Sequence, residues 1–200
     1  IGENGQVLRI SESPSGTDGT FLDYMIIEHE TLEQLLDWYS AMQHLDLIEV
    51  IRDSLSRFRV NSYPFEGYVR MISSLEDYMQ CSHELFDPAV NDELFMGDRN
   101  IYTKVQDNPP AKYLAGQVTN SIIATGCTIE GDVQDSILFR NVTVGRGAVI
   151  RNSILYQRCV IEPGARLENV ICDKFVHVSA GVSLSGTAAN PFVVGKHQTV

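Results

Sequence analysis

A 17-residue interval in the C-terminal part of the chain constrains its fold more than any other feature. Ile137, Ile154 and Ile171 keep it, as do Val144, Ile161 and Val178, then Ile150, Leu167 and Leu184, and again Gly147, Gly164 and Gly181. Asp135, Asn152 and Asn169 repeat at the same spacing, and an earlier coil with Val118, Ile122 and Ile129 joins the series once two residues are removed from one turn. Within each period an aliphatic residue returns about every six positions with small residues near it, the mark of hexapeptide-length strands. The pattern predicts a left-handed parallel β-helix whose triangular coils each hold three short flat strands. One aliphatic per strand fills a narrow prism, and glycine relieves the corners. Such a coil cannot bury its apolar face alone, so coils must stack.

The residues before the repeat have a different texture. Gln6 to Ile10, Tyr24 to Ile27, Arg57 to Asn61 and Tyr68 to Ile72 are strand-like runs. A turn-rich loop from Ser11 to Thr20 separates the first two, and Tyr24 to Ile27 suits a buried strand. Thr31-Leu32-Glu33-Gln34 has capping-box spacing, followed by Leu32, Leu35, Leu36, Tyr39 and Met42 at helical intervals. Trp38 and Tyr39 fit a helix packed on a sheet. Asp46 opens a second helix, and Ser73-Ser74-Leu75-Glu76 a third that runs through about Phe86. Strands alternating with helices indicate an α/β layer with too few strands for a complete doubly wound domain. The expected organisation is an α/β remnant over 1–86, a linker over 87–115 and the β-helix over 116–200. Charge follows this division: residues 1–115 hold 8 basic and 20 acidic side chains, residues 116–200 hold 7 and 6.

The net charge of −11 and pI near 4.8 argue against partners rich in phosphate, so neither nucleic acid nor an anionic membrane is expected. No apolar run approaches the length of a bilayer span. Cys81, Cys127, Cys159 and Cys172 form no CxxC and have no close histidine, so reduced, mostly buried thiols in a cytoplasmic protein are expected, with neither a metal site nor a disulfide framework. The chain opens IGENGQVLRI, without a start methionine, and reads as a piece of a longer polypeptide.

A β-helix names no activity. Sugar nucleotidyltransferases append it to an α/β catalytic domain, and acyltransferases work at clefts between its coils. Phe65-Glu66-Gly67-Tyr68-Val69-Arg70-Met71-Ile72-Ser73-Ser74 resembles the GYWRDVGT segment of ADP-glucose pyrophosphorylase (glucose-1-phosphate adenylyltransferase). Asp98-Arg99-Asn100-Ile101-Tyr102-Thr103 and Pro109-Pro110-Ala111-Lys112-Tyr113 resemble that family's linker, DRNxxIYTxxxxxPPAK. Asn120-Ser121-Ile122-Ile123, its echo Asn152-Ser153-Ile154-Leu155, and the tail Asn190 to Lys196 extend the similarity over most of the chain. The resemblance implies a nucleotidyltransferase remnant joined to a β-helix, from an enzyme that makes ADP-glucose and pyrophosphate from ATP and glucose 1-phosphate with Mg²⁺.

The departures point to one lineage within that family. The aspartate that the resemblance assigns to Mg²⁺ is matched by Met71, a thioether with little affinity for a hard cation. The lysine of an EKP segment, expected on the sugar phosphate, is matched by Ser13. The SMG segment is matched by Phe21, Leu22 and Asp23, which bring bulk and negative charge to the sugar side. The phosphate-cradling GGxGTRLxPLT loop is absent from these residues, so this stretch is expected to be inactive by itself. The pattern resembles the GlgD-type subunit, which implies a largely non-catalytic role beside a catalytic subunit, in a heterotetramer, with self-association through the β-helix. No cofactor is expected on this stretch, and Mg²⁺ would belong to the parent complex.

Effectors of the family are phosphate-bearing metabolites, which places a candidate site on Arg99, Lys104 and Lys112 of the linker with Arg140 and Arg146 of the coils. Arg140, Arg146, Arg151, Arg158 and Arg166 are either separate solvated charges or a patch for such an anion or a subunit. Leu138, Phe139, Leu155 and Tyr156 are read as outward apolar positions awaiting a cover. His177, outward between Val176 and Val178, would be the base of a β-helix acyltransferase, the rival reading. Another sugar-phosphate nucleotidyltransferase is the nearer rival.

Overall fold

A computed structural model describes the chain except for residues 3, 12–18, 43–45, 98–100 and 103 and the side chains of 41 and 42. It forms two compact units, Ile1–Glu66 and Gly67–Val200.

In the second unit the repeat winds into a parallel β-helix with three five-stranded faces. The first face stacks Lys112–Tyr113, Thr128–Ile129, Thr143–Val144, Val160–Ile161 and His177–Val178. The second stacks Val118–Thr119, Asp132–Gln134, Val149–Arg151, Arg166–Glu168 and Ser183–Ser185. The third stacks Ile122–Ile123, Ile137–Leu138, Ile154–Leu155, Val170–Cys172 and Phe192–Val194. Ile129, Val144, Ile161 and Val178 point inward from the first face, and Val133, Ile150 and Leu167 from the second. Leu138, Leu155, Cys172 and Val194 complete the core from the third.

The two-residue deletion read from the sequence lies where the first face turns into the second. Ile129 pairs with Val144 but Val133 with Ile150, so the earlier coil takes the shorter route through Gly131. There is no room for more: a Cβ on Gly131 would sit 2.4 Å from the Ala148 carbonyl oxygen. Between the last strands of the second and third faces, residues 186–190 are extra, since Leu184 keeps register with Leu167 while Val193 pairs with Ile171.

Each edge of the β-helix turns through residues in the left-handed region. Gly147, Gly164 and Gly181 serve between the first and second faces, with φ near 70°. A Cβ on Gly147 or Gly181 would meet nothing within 4 Å, so dihedral angle and not space selects glycine there. Asn120, Asp135, Asn152 and Asn169 serve between the second and third, and the short polar side chains of Asn and Asp tolerate this region. Asn120 donates to Asp135, Asn152 to Asn169, and Asn169 to the Gly186 carbonyl. Asn141, Arg158, Phe175 and His197 serve between the third face and the first.

The third face corrects the expected side-chain phase by one residue. Leu138 and Leu155 are inside the core, whereas Ile137, Ile154 and Ile171 point outward. One step along a strand exchanges its two sides, and here both sides are apolar, so alternation gave no guide. The outward stripe is covered by helix α3, Leu75–Glu84, through Met79, Tyr78 and the following Leu85 and Phe86. Phe139 and Tyr156 stack at 4.7 Å beside it, and the Tyr78 and Tyr156 hydroxyls lie 2.7 Å apart. The face expected to await an outside cover is therefore closed by the chain's own helix.

Helix α3 begins one residue later than expected. Its cap is Ser74, whose hydroxyl accepts from the Asp77 amide while Asp77 accepts from the Ser73 and Ser74 amides. The expected linker also contains a helix, α4, Pro88–Phe95, capped by Asp87 with proline at its first turn.

In the first unit helix α1 spans His29–Met42, so Thr31 lies inside it and forms no capping box. Asp46 caps helix α2, Leu47–Ser54, as its position predicts. Leu35, Val50 and Ile51 form the core with Trp38 and Phe58 packed against it. The expected strands do not form a sheet. Residues 6 and 61 make one antiparallel bridge, flanked by Val7 donating to Val60 and Ser62 to Gly5. The run 24–27 forms no strand among the described residues, leaving Tyr24 89% and Ile26 103% exposed. The run 68–72 likewise has no ladder partner. A strand needs a neighbour for its backbone groups, and the described residues offer these runs none.

Candidate functional site

The residues expected to mark a lost catalytic site are divided between the units. Phe21, Leu22 and Asp23 belong to the first, with Asp23 at a φ of 59°; Met71 belongs to the second. Ser13 lies outside the described residues. Met71 is 54% exposed on the segment that leads into α3.

Three interactions fix that segment. The Tyr68 hydroxyl and Arg70 Nε donate to the same oxygen of Glu84, at 2.6 and 2.7 Å, and the Tyr68 amide donates to Glu93. The Arg70 guanidinium lies 5.3 Å over the Tyr68 ring. The hydrogen bond from Arg70, with that of Tyr68, holds the Glu84 carboxyl below its ordinary range. Burial and the same carboxylate push Tyr68 up to about 12. Asp77 is held down by the Ser73 hydroxyl and by the Ser73 and Ser74 amides.

These residues do not fit magnesium. Met71 offers sulfur where a hard anionic oxygen is required. The neighbouring carboxylates of Asp77 and Glu84 are committed to a helix cap and to a Tyr–Arg clamp. Among the described residues no group of three His, Cys, Asp or Glu side chains is placed to hold a metal ion.

The expected effector residues do not form one patch either. Arg140 donates to the Lys104 carbonyl at 3.4 Å, which brings those two together. Lys112 lies on the outermost strand of the first face, paired with Thr128. Arg146 sits at the opposite edge of that face and pairs with Glu130 at 3.6 Å. Arg99 lies outside the described residues. Arg151 and Arg166 belong to the second face.

A different grouping emerges along the edge between the third face and the first. Backbone hydrogen bonds stack this edge in order: Asn141 to Thr125, Arg158 to Arg140, Phe175 to Gln157, His197 to Lys174. Arg140, Arg158, Lys174 and Lys196 thus follow one another along a single corner. None has an ion pair among the described residues. Arg158 lies 5.6 Å over the Phe175 ring, which stacks on His197 at 4.7 Å, so planar groups stiffen the ladder. Asn108 reaches the same edge, accepting from Asn141 at 3.2 Å, while its own Nδ2 and the nearby Gln157 Oε1 are buried without partners. Cations on successive rungs of one corner, none of them ion-paired among the described residues, can hold a compact anion, with the Asp173 carboxylate beside them accepting from the Lys174 amide. The spacing carried the signal: Arg140, Gln157 and Lys174 are a 17-residue column, and Arg158 and Phe175 another.

His177 does face outward, with Nε2 3.0 Å from Glu162 Oε1 and both side chains about two-fifths exposed. The cysteines are free thiols, three of them buried. Burial raises Cys127 and Cys172 and takes Cys159 up to about 11, which keeps these thiols protonated and unreactive. No helix among the described residues is long and apolar enough to cross a membrane.

Comparison with known proteins agrees with this architecture. Residues 109–190 match the family described as GlmU-like, C-terminal hexapeptide. Over 180 residues the chain is 41% identical to the glycogen biosynthesis protein GlgD of Bacillus subtilis (strain 168), covering 90% of this chain and 52% of that protein. The GlgD protein of Geobacillus stearothermophilus is 43% identical over 179 residues, 89% of this chain and 52% of its own. Glucose-1-phosphate adenylyltransferase of the same organism is 36% identical over 94 residues, 45% of this chain and 24% of its own. The chain thus spans about half the length of the GlgD relatives it matches.

Proposed function

The chain is a homologue of the GlgD glycogen biosynthesis proteins over nine-tenths of its length, and from that premise we propose that it serves glycogen biosynthesis as part of a subunit that modulates a glucose-1-phosphate adenylyltransferase. In that reading a catalytic partner turns ATP and glucose 1-phosphate into ADP-glucose and pyrophosphate and holds the Mg²⁺. This subunit supplies its β-helix for assembly, with the partner and with its own kind. The observation that carries the proposal is Met71, a thioether in the segment that resembles the magnesium-binding one, beside carboxylates already committed elsewhere.

The modulating role would use the cationic corner. A phosphate-bearing metabolite bridging two of Arg140, Arg158, Lys174 and Lys196 gains about 1.5–3 kcal/mol per charge-assisted hydrogen bond before ordering costs. Such an anion changes activity only by binding two arrangements of the complex unequally.

The test uses the full-length protein with and without the catalytic subunit. We expect negligible turnover alone and a changed rate or effector response in the mixture. Met71→Asp should not restore turnover, because Phe21, Leu22 and Asp23 remain. Full turnover by the subunit alone overturns the proposal. Removing Arg158 and Lys174 together should weaken metabolite binding while the β-helix stays folded; unchanged binding removes the corner from it.

A further inference from the structure

The outward residues of the second face of the β-helix are mostly exposed. The third is covered by α3, and on the first Glu162 and His177 satisfy each other. The outward side chains of the second face stand in two rows across the strands. One row carries Asp132, Val149, Arg166 and Ser183; the other carries Thr119, Gln134, Arg151, Glu168 and Ser185. Concavities of about 200 and about 130 Å³ lie along them and share Val149 and Arg151, making one furrow.

The charges of these rows balance, two cations against two carboxylates, on a chain whose net charge is −11. Repulsion between two copies is therefore small at this face. Arg151 and Glu168 lie in register on adjacent strands, yet no ion pair closes between them. Both heads stay available to another molecule.

Their order makes the face complementary to itself. A two-fold axis parallel to the strands, passing between those of Arg151 and Glu168, reverses the order of strands in a second copy. Arg151 of each copy then stands over Glu168 of the other. The same operation sets Val149 over the aliphatic stem of Arg166, Asp132 over Ser183, and Gln134 over Ser185. No like charges are opposed, as an isologous contact requires. We infer that this face is where a second copy of the chain docks, with Arg151 and Glu168 forming reciprocal pairs that fix the register. The inference rests on the self-association proposed above and adds its face and symmetry.

Sedimentation equilibrium on the chain tests it. The wild type should dimerise, more weakly as salt rises. Arg151→Glu alone and Glu168→Arg alone each oppose like charges twice and should weaken dimerisation about tenfold or more. An equimolar mixture of the two variants should dimerise again, because each supplies the charge the other lacks, and the double variant should also recover. Should either variant fail to fold, Arg151→Gln and Glu168→Gln remove the attraction without a clash and should weaken the dimer less. Dimerisation untouched by all these changes, or no recovery in the mixture, overturns the docking face while leaving self-association in place. A strictly monomeric wild type overturns both.

Discussion

The two units of this chain handle similar apolar material in opposite ways. Among the described residues the β-helix buries 18 apolar residues in one continuous core, and the first unit buries three. Ile161 has neighbours in register on both sides, and the chain itself provides them 17 residues away. Ile26, equally aliphatic, has no described strand beside it and remains fully exposed. What separates them is the source of their partners. A repeat brings the next coil with it, whereas a strand of an α/β layer depends on whichever segments flank it in the sheet.

The contrast is sharpest in the cores. Ile161→Ala opens a cavity among fixed coils and should cost about 3–5 kcal/mol, whereas Ile51→Ala, beside a small core free to collapse, should cost about 2 kcal/mol. Denaturant unfolding read separately in each unit checks this, and equal costs would erase the distinction. Ser153 makes the next test. Buried within the stack, its hydroxyl donates to the Arg151 carbonyl at 2.6 Å and accepts from the Val170 amide at 3.1 Å. Ser153→Ala leaves the Val170 amide unpaired, while the Arg151 carbonyl keeps the Asn169 amide, and should cost about 1–3 kcal/mol. An unchanged midpoint would mean that the coils hold register by apolar packing alone.

Two smaller effects ask whether α3 belongs to the β-helix energetically as well as geometrically. Tyr78→Phe removes the hydroxyl contact with Tyr156 and should cost about 0.5–1.5 kcal/mol, seen as faster hydrogen exchange along α3. The smallest effect is one of pH. Burial lowers the pKa of His83, whose Nε2 has no partner, although the Asp135 carboxylate and backbone on the adjacent corner oppose the shift. The folded state therefore resists a proton that the unfolded chain accepts near pH 6.5. Stability of α3 is complete above that value and declines as pH falls below it. His83→Gln should flatten the profile between about pH 5 and 7; a profile unchanged by the substitution would assign the slope to another group.

Much of the β-helix was legible because its columns test one another: a wrong spacing at Ile154 would also be wrong at Ile161 and Leu167. The phase of the third face was not, since Ile137 and Leu138 are both aliphatic and only the presence of α3 tells which one it covers. The strands of the first unit misled for a related reason. Tyr24 to Ile27 has the composition of a buried strand, but composition specifies no neighbour. The cationic corner was present as offset columns of Arg140, Arg158 and Lys174, while Lys196 stands out of step by the five residues inserted before it. Ser73 with Glu76 and Ser74 with Asp77 fit two capping frames one residue apart, and the hydrogen bonds between Ser74 and Asp77 select the second.

The five extra residues at 186–190 have a consequence for how such a protein changes length. Inside a coil, one added residue would turn Ile150 or Ile161 outward and spoil every rung behind it. At an edge the chain leaves the ladder and returns, and Val193 still meets Ile171. Heritable insertions and grafted peptides should therefore enter at edges in any number, but along the faces only as complete turns. The β-helix is read in frames, with its corners as the punctuation where foreign text can be spliced.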